Sequence, residues 1–145
     1  MPTRVLFVCA ANAARSQMAE ALLRSLGGDH FEVHSAGVRP RDKVHPLATR
    51  VLSAIHLDVS THMTKSVDRF KTEPFDYVIT LCDEAREACA AIAPSVDSIH
   101  WNITDPLSRD SNEQVFRETL WEVRRRVELF VTVARQQARE RHPRQ

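Results

Sequence analysis

Two rhythms of apolar and polar positions alternate along the chain. Arg4 to Cys9 is an apolar, β-branched run with little polar relief, which predicts a strand buried on both faces. From Arg15 to Leu26 the apolar positions Met18, Ala19, Leu22, Leu23 and Leu26 fall at helical spacing, and Gly27-Gly28 stops the pattern. The same reading predicts a strand over Phe31 to Ala36 ended by Gly37, and a helix over Pro46 to Ile55 with Pro46 in its first turn. Ser60 to Phe70 reads as loop plus short helix, and Tyr77 to Leu81 as a third strand. A helix over Glu84 to Ile92, stopped by Pro94, leads to a short strand over Ser98 to Trp101 and a polar loop through Asp110. Asn112 to about Arg141 is a long amphipathic helix with Val115, Leu120, Val123, Val127, Phe130 and Val131 inward.

Strands alternating with helices imply a parallel sheet covered on both faces. Four strands in 145 residues predict an α/β fold, a single doubly wound domain with no repeat or linker. Ligands of such sheets bind beyond the carboxyl ends of the strands. The tail from Arg135 to Gln145 is basic and polar and is expected to fray, and Arg124-Arg125-Arg126 reads as the solvated face of the last helix.

Composition narrows the class. Apolar residues make up 43% and charged residues 27%, ordinary for a soluble globular chain. A net charge of +1 argues against a dedicated nucleic-acid or membrane-surface binder. No apolar run approaches the roughly 18 residues of a membrane span. The run Val5 to Ala11 is too short for a secretion signal, and Arg15 opens a helix straight after it. Three cysteines, an odd number, do not make a secreted disulfide framework. The expectation is a cytoplasmic protein whose cysteines need another explanation.

Three constellations carry candidate chemistry. In the first, Cys9 ends a strand, Arg15 starts a helix, and Ala10, Ala11, Asn12, Ala13 and Ala14 turn between them. Backbone N–H groups there, with the positive end of the helix dipole, form an anion cradle. A thiol at a helix N-terminus beside an arginine favours its thiolate and acts as a nucleophile. Arg15 offers a planar fork for two oxygens of a tetrahedral oxyanion, and Ser16 a hydrogen bond to the sulfur.

The second is Cys82 and Cys89, which follow the third strand. Seven residues on a helix put them on one face with a rise of about 10.5 Å. A disulfide needs Cα atoms within roughly 7 Å, so these two bond only if the helix unwinds. Cys82 should lie at the same sheet edge as Cys9, within its reach. The spacing lacks the paired close ligands of a zinc site, so no metal is expected. The third is Asp105-Pro106, a carboxyl group on a loop over the oxyanion site, able to protonate a departing oxygen. Taken singly, each also has a structural reading: a buried cysteine closing a strand, two cysteines packing a helix, a turn-forming Asp-Pro.

Together these residues resemble the low-molecular-weight tyrosine phosphatase superfamily, and within it the thioredoxin-coupled arsenate reductases. The matching segments are Val5-Leu-Phe-Val-Cys9, Asn12, Arg15-Ser-Gln-Met-Ala-Glu20, Ser35-Ala-Gly37, the Cys82 and Cys89 pair, and His100-Trp101 leading to Asp105-Pro106. They span nearly the whole chain. Phosphatases of this fold usually carry proline after the serine and lack the cysteine pair. The resemblance implies a flavodoxin-like strand order and a three-thiol relay. Cys9 attacks arsenate held by the loop and Arg15, and Asp105 protonates the leaving oxygen. Cys82 attacks the sulfur of Cys9 and releases arsenite. Cys89 then takes over Cys82, and reduced thioredoxin resets the Cys82–Cys89 bond. No bound cofactor is implied, phosphate or sulfate would mimic the substrate, and a monomer suffices. A glutaredoxin-like donor is the alternative electron source, and a phosphatase using Cys9, Arg15 and Asp105 the alternative activity.

The chain departs from the family pattern in places. Ala13 stands where a hydroxyl is usual, and Ala11 where glycine or histidine is often seen. Some members bind potassium near positions matching Asn12, Glu20 and Ser35, with Met63 and Lys65 at the remaining ligand positions. The Lys65 ammonium is expected to replace the cation, so no potassium requirement is anticipated. His45, His62 and His100 are expected to be structural, since the scheme needs no histidine base.

Overall fold

The computed structural model describes residues 1–90, 97–108 and 111–141. The strands are β1 (Thr3–Cys9), β2 (Phe31–Gly37), β3 (Tyr77–Thr80) and β4 (Asp97–His100). The α-helices are α1 (Arg15–Gly27), α2 (Pro46–Ala54), α3 (Asp83–Ala90) and α4 (Glu113–Arg141). All four strands are parallel, in the order β2-β1-β3-β4. Element boundaries differ from the sequence reading by a residue or two, as helix and strand ends do. The end of the helix expected over Glu84 to Ile92, the end of the loop through Asp110, and residues 142–145 lie outside the described residues.

The sheet divides the core into two layers. Along β1, Val5, Phe7 and Cys9 face a cluster built with α1, α2 and α4, whereas Leu6 and Val8 face a smaller one with Ala85 and Cys89 of α3. This two-sided burial is what the unbroken apolar run of β1 requires. All the α4 positions expected to face inward are buried. Phe130 of that helix packs edge-on against Tyr77, ring centroids 5.0 Å apart.

The tail corrects the expectation of fraying from Arg135. α4 stays helical through Arg141, the end that the helical spacing predicts. Ala134 is buried, the Tyr77 hydroxyl bonds Gln137 Oε1, and Arg141 Nη2 lies 3.9 Å from Asp97 Oδ2. These contacts to β3 and β4 tie down a stretch whose own sequence is polar. Arg124 does lie on the outer face, paired with Glu128 at 2.9 Å and stacked over Trp121. No helix of the described residues is long and apolar enough to cross a membrane.

Candidate active site

The parallel register brings the carboxyl ends of β1 and β3 together. Val8 pairs with Thr80, so Cys9 stands opposite Leu81, and Cys82 is one residue further. Between Cys9 and α1 the chain makes a tight loop whose carbonyls are all accounted for. Cys9 O accepts from Val38 N, Ala10 O from Arg39 N, Ala11 O from Arg41 N, and Ala13 O from His45 N, at 2.8–3.1 Å. Asn12 O accepts from Gln17 Nε2 at 3.1 Å, and Ala14 O from Met18 N at 2.9 Å. With six consecutive carbonyls engaged by protein donors, what the loop has left to offer an anion is its N–H groups. Asn12 N already points at Cys9 Sγ, 3.3 Å away. Among the described residues, α1 has no side-chain cap and no acidic residue in its first turn, so nothing there competes with an anion.

Two backbone requirements shape the loop. Asn12 has φ +52°, a left-handed conformation that asparagine tolerates best after glycine. Ala11 has no positive φ, so its methyl group is accommodated without backbone strain. Gly37, at the end of β2, passes so close that a Cβ there would stand 2.9 Å from Ala10 O, Ala11 C and Asn12 N.

The hydrogen bonds beneath the loop have a direction. Asn12 Oδ1 accepts from Lys65 N at 2.9 Å and Gln17 Nε2 at 3.3 Å, which fixes the amide. Asn12 Nδ2 therefore donates to Ser16 Oγ at 2.7 Å and to Ser35 Oγ at 3.0 Å. Ser35 Oγ donates onward to Glu20 Oε1. Ser16 Oγ lies 2.9 Å from Cys9 Sγ, and once that sulfur is a thiolate, which can only accept, the serine hydroxyl is the donor. The result, for the thiolate, is a chain of donors from Asn12 through Ser16 to the sulfur.

Arg15 is buried, and Nη1 donates to Ile103 O at 2.9 Å and Leu81 O at 3.4 Å. One corner of the guanidinium is thereby anchored, and Nη2 lies 3.7 Å from Asp105 Oδ2. Asp105 Oδ1 accepts from Leu107 N at 2.9 Å, which aims the half-exposed carboxyl group over the arginine. Cys9, Cys82 and Cys89 are all free thiols. Cys82 is half-buried and packs against both core layers, the one containing Cys9 and the one containing Cys89. Cys89 is buried beside Leu6, Val8 and Val78, and burial, then the nearby Cys82, pushes its thiol up to about 11. α3 is an intact helix from Asp83, so Cys82 and Cys89 stand about two turns apart.

Glu20 is buried, with Arg24 Nη1 at 2.8 Å, His62 Nε2 at 3.6 Å and Lys65 Nζ at 3.8 Å. Lys65 Nζ also donates to Met63 O at 2.8 Å. An ammonium thus occupies the ground between Glu20 and Met63 O. Burial pulls the Lys65 ammonium down from its usual range, with Glu20 opposing. His45 caps α2, Nδ1 accepting from Leu47 N at 3.1 Å, and burial lowers its pKa. His62 Nδ1 donates to Gln17 Oε1 at 2.9 Å, and its ring too is lowered by burial.

The structure thus brings Cys9, the loop 10–14, Arg15, Ser16 and Asp105 to the carboxyl end of the sheet, with Cys82 next to it, Cys89 two turns along α3 in the other core layer, and Glu20, Ser35 and Lys65 beneath. The sequence reading gave no role to Gln17, Gly37 or the carbonyls of Leu81 and Ile103. Gln17 carried a signal: a polar side chain on a helix turn that is buried all round.

A sheet edge with a thiol, an oxyanion loop and an arginine opening the next helix defines a phosphatase-type site. The chain belongs to the low molecular weight phosphotyrosine protein phosphatase family, whose model matches residues 4–141. It is 32% identical over 126 residues to an arsenate reductase of Staphylococcus xylosus, covering 87% of this chain and 94% of that one. An arsenate reductase solved in a phosphate-binding state superposes with a TM-score of 0.79 at 29% identity, covering 90% of this chain and 97% of the other. A thioredoxin-dependent arsenate reductase of Corynebacterium glutamicum superposes with a TM-score of 0.73 at 28% identity, over 92% of this chain and 63% of that one.

Proposed function

We propose that this protein reduces arsenate to arsenite by a Cys9–Cys82–Cys89 disulfide relay that reduced thioredoxin resets. The observation that carries the reading is the placement of two further free thiols, Cys82 and Cys89, directly after the strand next to the oxyanion loop. A phosphatase needs Cys9, Arg15 and Asp105 and has no use for the other two. The relatives named arsenate reductase support the same choice.

The loop amides and Arg15 hold the anion, and the Cys9 thiolate attacks arsenic while Asp105 gives its proton to the departing oxygen, which leaves as water. The Cys82 thiolate attacks Cys9 sulfur. The sulfur–arsenic electron pair stays on arsenic, which departs as arsenite and leaves a Cys9–Cys82 disulfide. Cys89 attacks Cys82, frees Cys9 and forms the bond that thioredoxin reduces. Overall, two thiols and arsenate give a disulfide, arsenite and water. Reduced thioredoxin and free thiols belong to the cytoplasm. A monomer contains every group required, and nucleic acid has no part.

The test is arsenate-dependent NADPH oxidation with thioredoxin and thioredoxin reductase. Wild-type turnover that collapses to at most one arsenite per enzyme in Cys89→Ala supports the relay. No turnover in either protein, with hydrolysis of an aryl phosphate, moves the chain to the phosphatase reading and leaves Cys82 and Cys89 as packing residues.

A further inference from the structure

The relay asks α3 to do two incompatible things. It must hold Cys82 beside the oxyanion loop, and it must later unwind so that Cys89 reaches Cys82. Only Ala85 and Cys89 of its eight residues are buried, so hydrophobic docking of this helix is slight. Its first turn carries two carboxylates, and each is tied to a group outside the helix. Asp83 Oδ1 lies 3.4 Å from His100 Nε2, and His100 Nδ1 is 2.8 Å from Thr80 Oγ1 at the end of β3. Glu84 is gripped by both prongs of Arg39, Nε to Oε1 at 2.7 Å and Nη2 to Oε2 at 2.9 Å. The backbone N–H of Arg39 is itself the donor to Ala10 O. A single residue therefore joins the oxyanion loop to the first turn of the redox helix, two positions after Cys82.

We propose that Arg39 is a positioning residue of the thiol relay: its grip on Glu84 keeps the first turn of α3 docked beside the oxyanion loop, and that grip opens when the disulfide passes to Cys89. The inference rests on the relay reading above. While the grip holds, the helix keeps the two sulfurs apart and Cys89 stays in its apolar bed, where burial disfavours its thiolate. Unwinding closes the distance and returns the thiol to water in one motion. The Arg39 side chain is 74% exposed, so water and salt screen the pair. A bidentate pair at such a site is strong enough to bias an equilibrium and weak enough to be released in every cycle.

The relay can be run without arsenate. In a Cys9→Ser protein, hydroxyethyl disulfide is attacked by Cys82, giving a mixed disulfide and one mercaptoethanol. Cys89 then attacks the Cys82 sulfur and expels a second mercaptoethanol, forming Cys82–Cys89. Intact-mass measurements follow the decay of the mixed disulfide. Glu84→Gln and Arg39→Ala, each placed in this background, should speed that decay by about two- to fivefold, an effect that shrinks with added salt. The exchanged pair Arg39→Glu with Glu84→Arg should return the parent rate. Parent-like decay in both single variants, or an exchanged pair that does not recover, overturns the role of Arg39. A parent whose mixed disulfide never resolves overturns the relay itself, and this inference with it.

Discussion

Ser16 Oγ sits 2.9 Å from Cys9 Sγ and accepts from Asn12 Nδ2 at 2.7 Å, so its hydrogen is available to the sulfur when Cys9 is a thiolate. A hydrogen bond to a charged acceptor is worth about 1.5–3 kcal/mol. Ser16→Ala should therefore slow the attack of Cys9 by roughly ten- to hundredfold, since 1.4 kcal/mol is tenfold. Single-turnover rates with an aryl phosphate and with arsenate should fall together, because both begin at the same sulfur.

Gly37→Ala should strike the loop from behind. The added methyl group would meet backbone atoms of Ala10, Ala11 and Asn12 at 2.9 Å, and backbone cannot swing aside as a side-chain end can. Overpacking of this kind costs about 1–3 kcal/mol. Urea unfolding should show that loss. It should also show a smaller stabilisation by added phosphate, because the displaced loop binds the anion less well.

Exchange of sodium for potassium at constant ionic strength should leave turnover and melting temperature unchanged, since the Lys65 ammonium stands against Glu20 and Met63 O. Lys65→Met should lower stability by about 1 kcal/mol, the worth of its lost hydrogen bond, with Arg24 still neutralising Glu20. A marked gain in wild-type activity with potassium would show that the lysine does not serve as the cation.

Acid should weaken the fold through His45. Burial holds its pKa below the usual 6.5, so the unfolded chain takes up a proton that the folded chain resists. Its contribution to stability is complete above about pH 6.5 and is lost as pH falls below that value. Protonation also removes the Nδ1 acceptor that caps α2. Asparagine caps without titrating, so His45→Asn should flatten the pH dependence of the urea midpoint between pH 5 and about 7. His62, lowered by burial as well, should supply the slope that remains.

Much of this architecture was legible in the sequence for definite reasons. β1 is apolar on both faces, and the α4 positions chosen by helical spacing are the ones buried. Cys9, Arg15 and Ser16 announce a loop because their side chains carry its chemistry. The supports of that loop are main-chain groups, which leave no mark on residue type. The segment 38–45, between the strand that ends at Gly37 and the helix that starts at Pro46, supplies four of the N–H groups that hold the loop carbonyls. The carbonyls of Leu81 and Ile103 anchor Arg15 while their apolar side chains report only burial. The helical spacing did carry α4 to Arg141, but what holds its last turns was hidden, because the ties to Tyr77 and Asp97 come from distant strands.

The engagement of all six loop carbonyls by protein donors also decides where selectivity can arise. A bowl of amide edges and one guanidinium gauges the radius and charge of a tetrahedral anion, and it has no means of telling arsenic from phosphorus. Discrimination must then come after capture. Thiols reduce pentavalent arsenic and do not reduce pentavalent phosphorus, so phosphate enters, occupies and leaves without consuming a thiol. The working speed of such an enzyme is set by the ratio of the two anions around it, and its fidelity by redox chemistry.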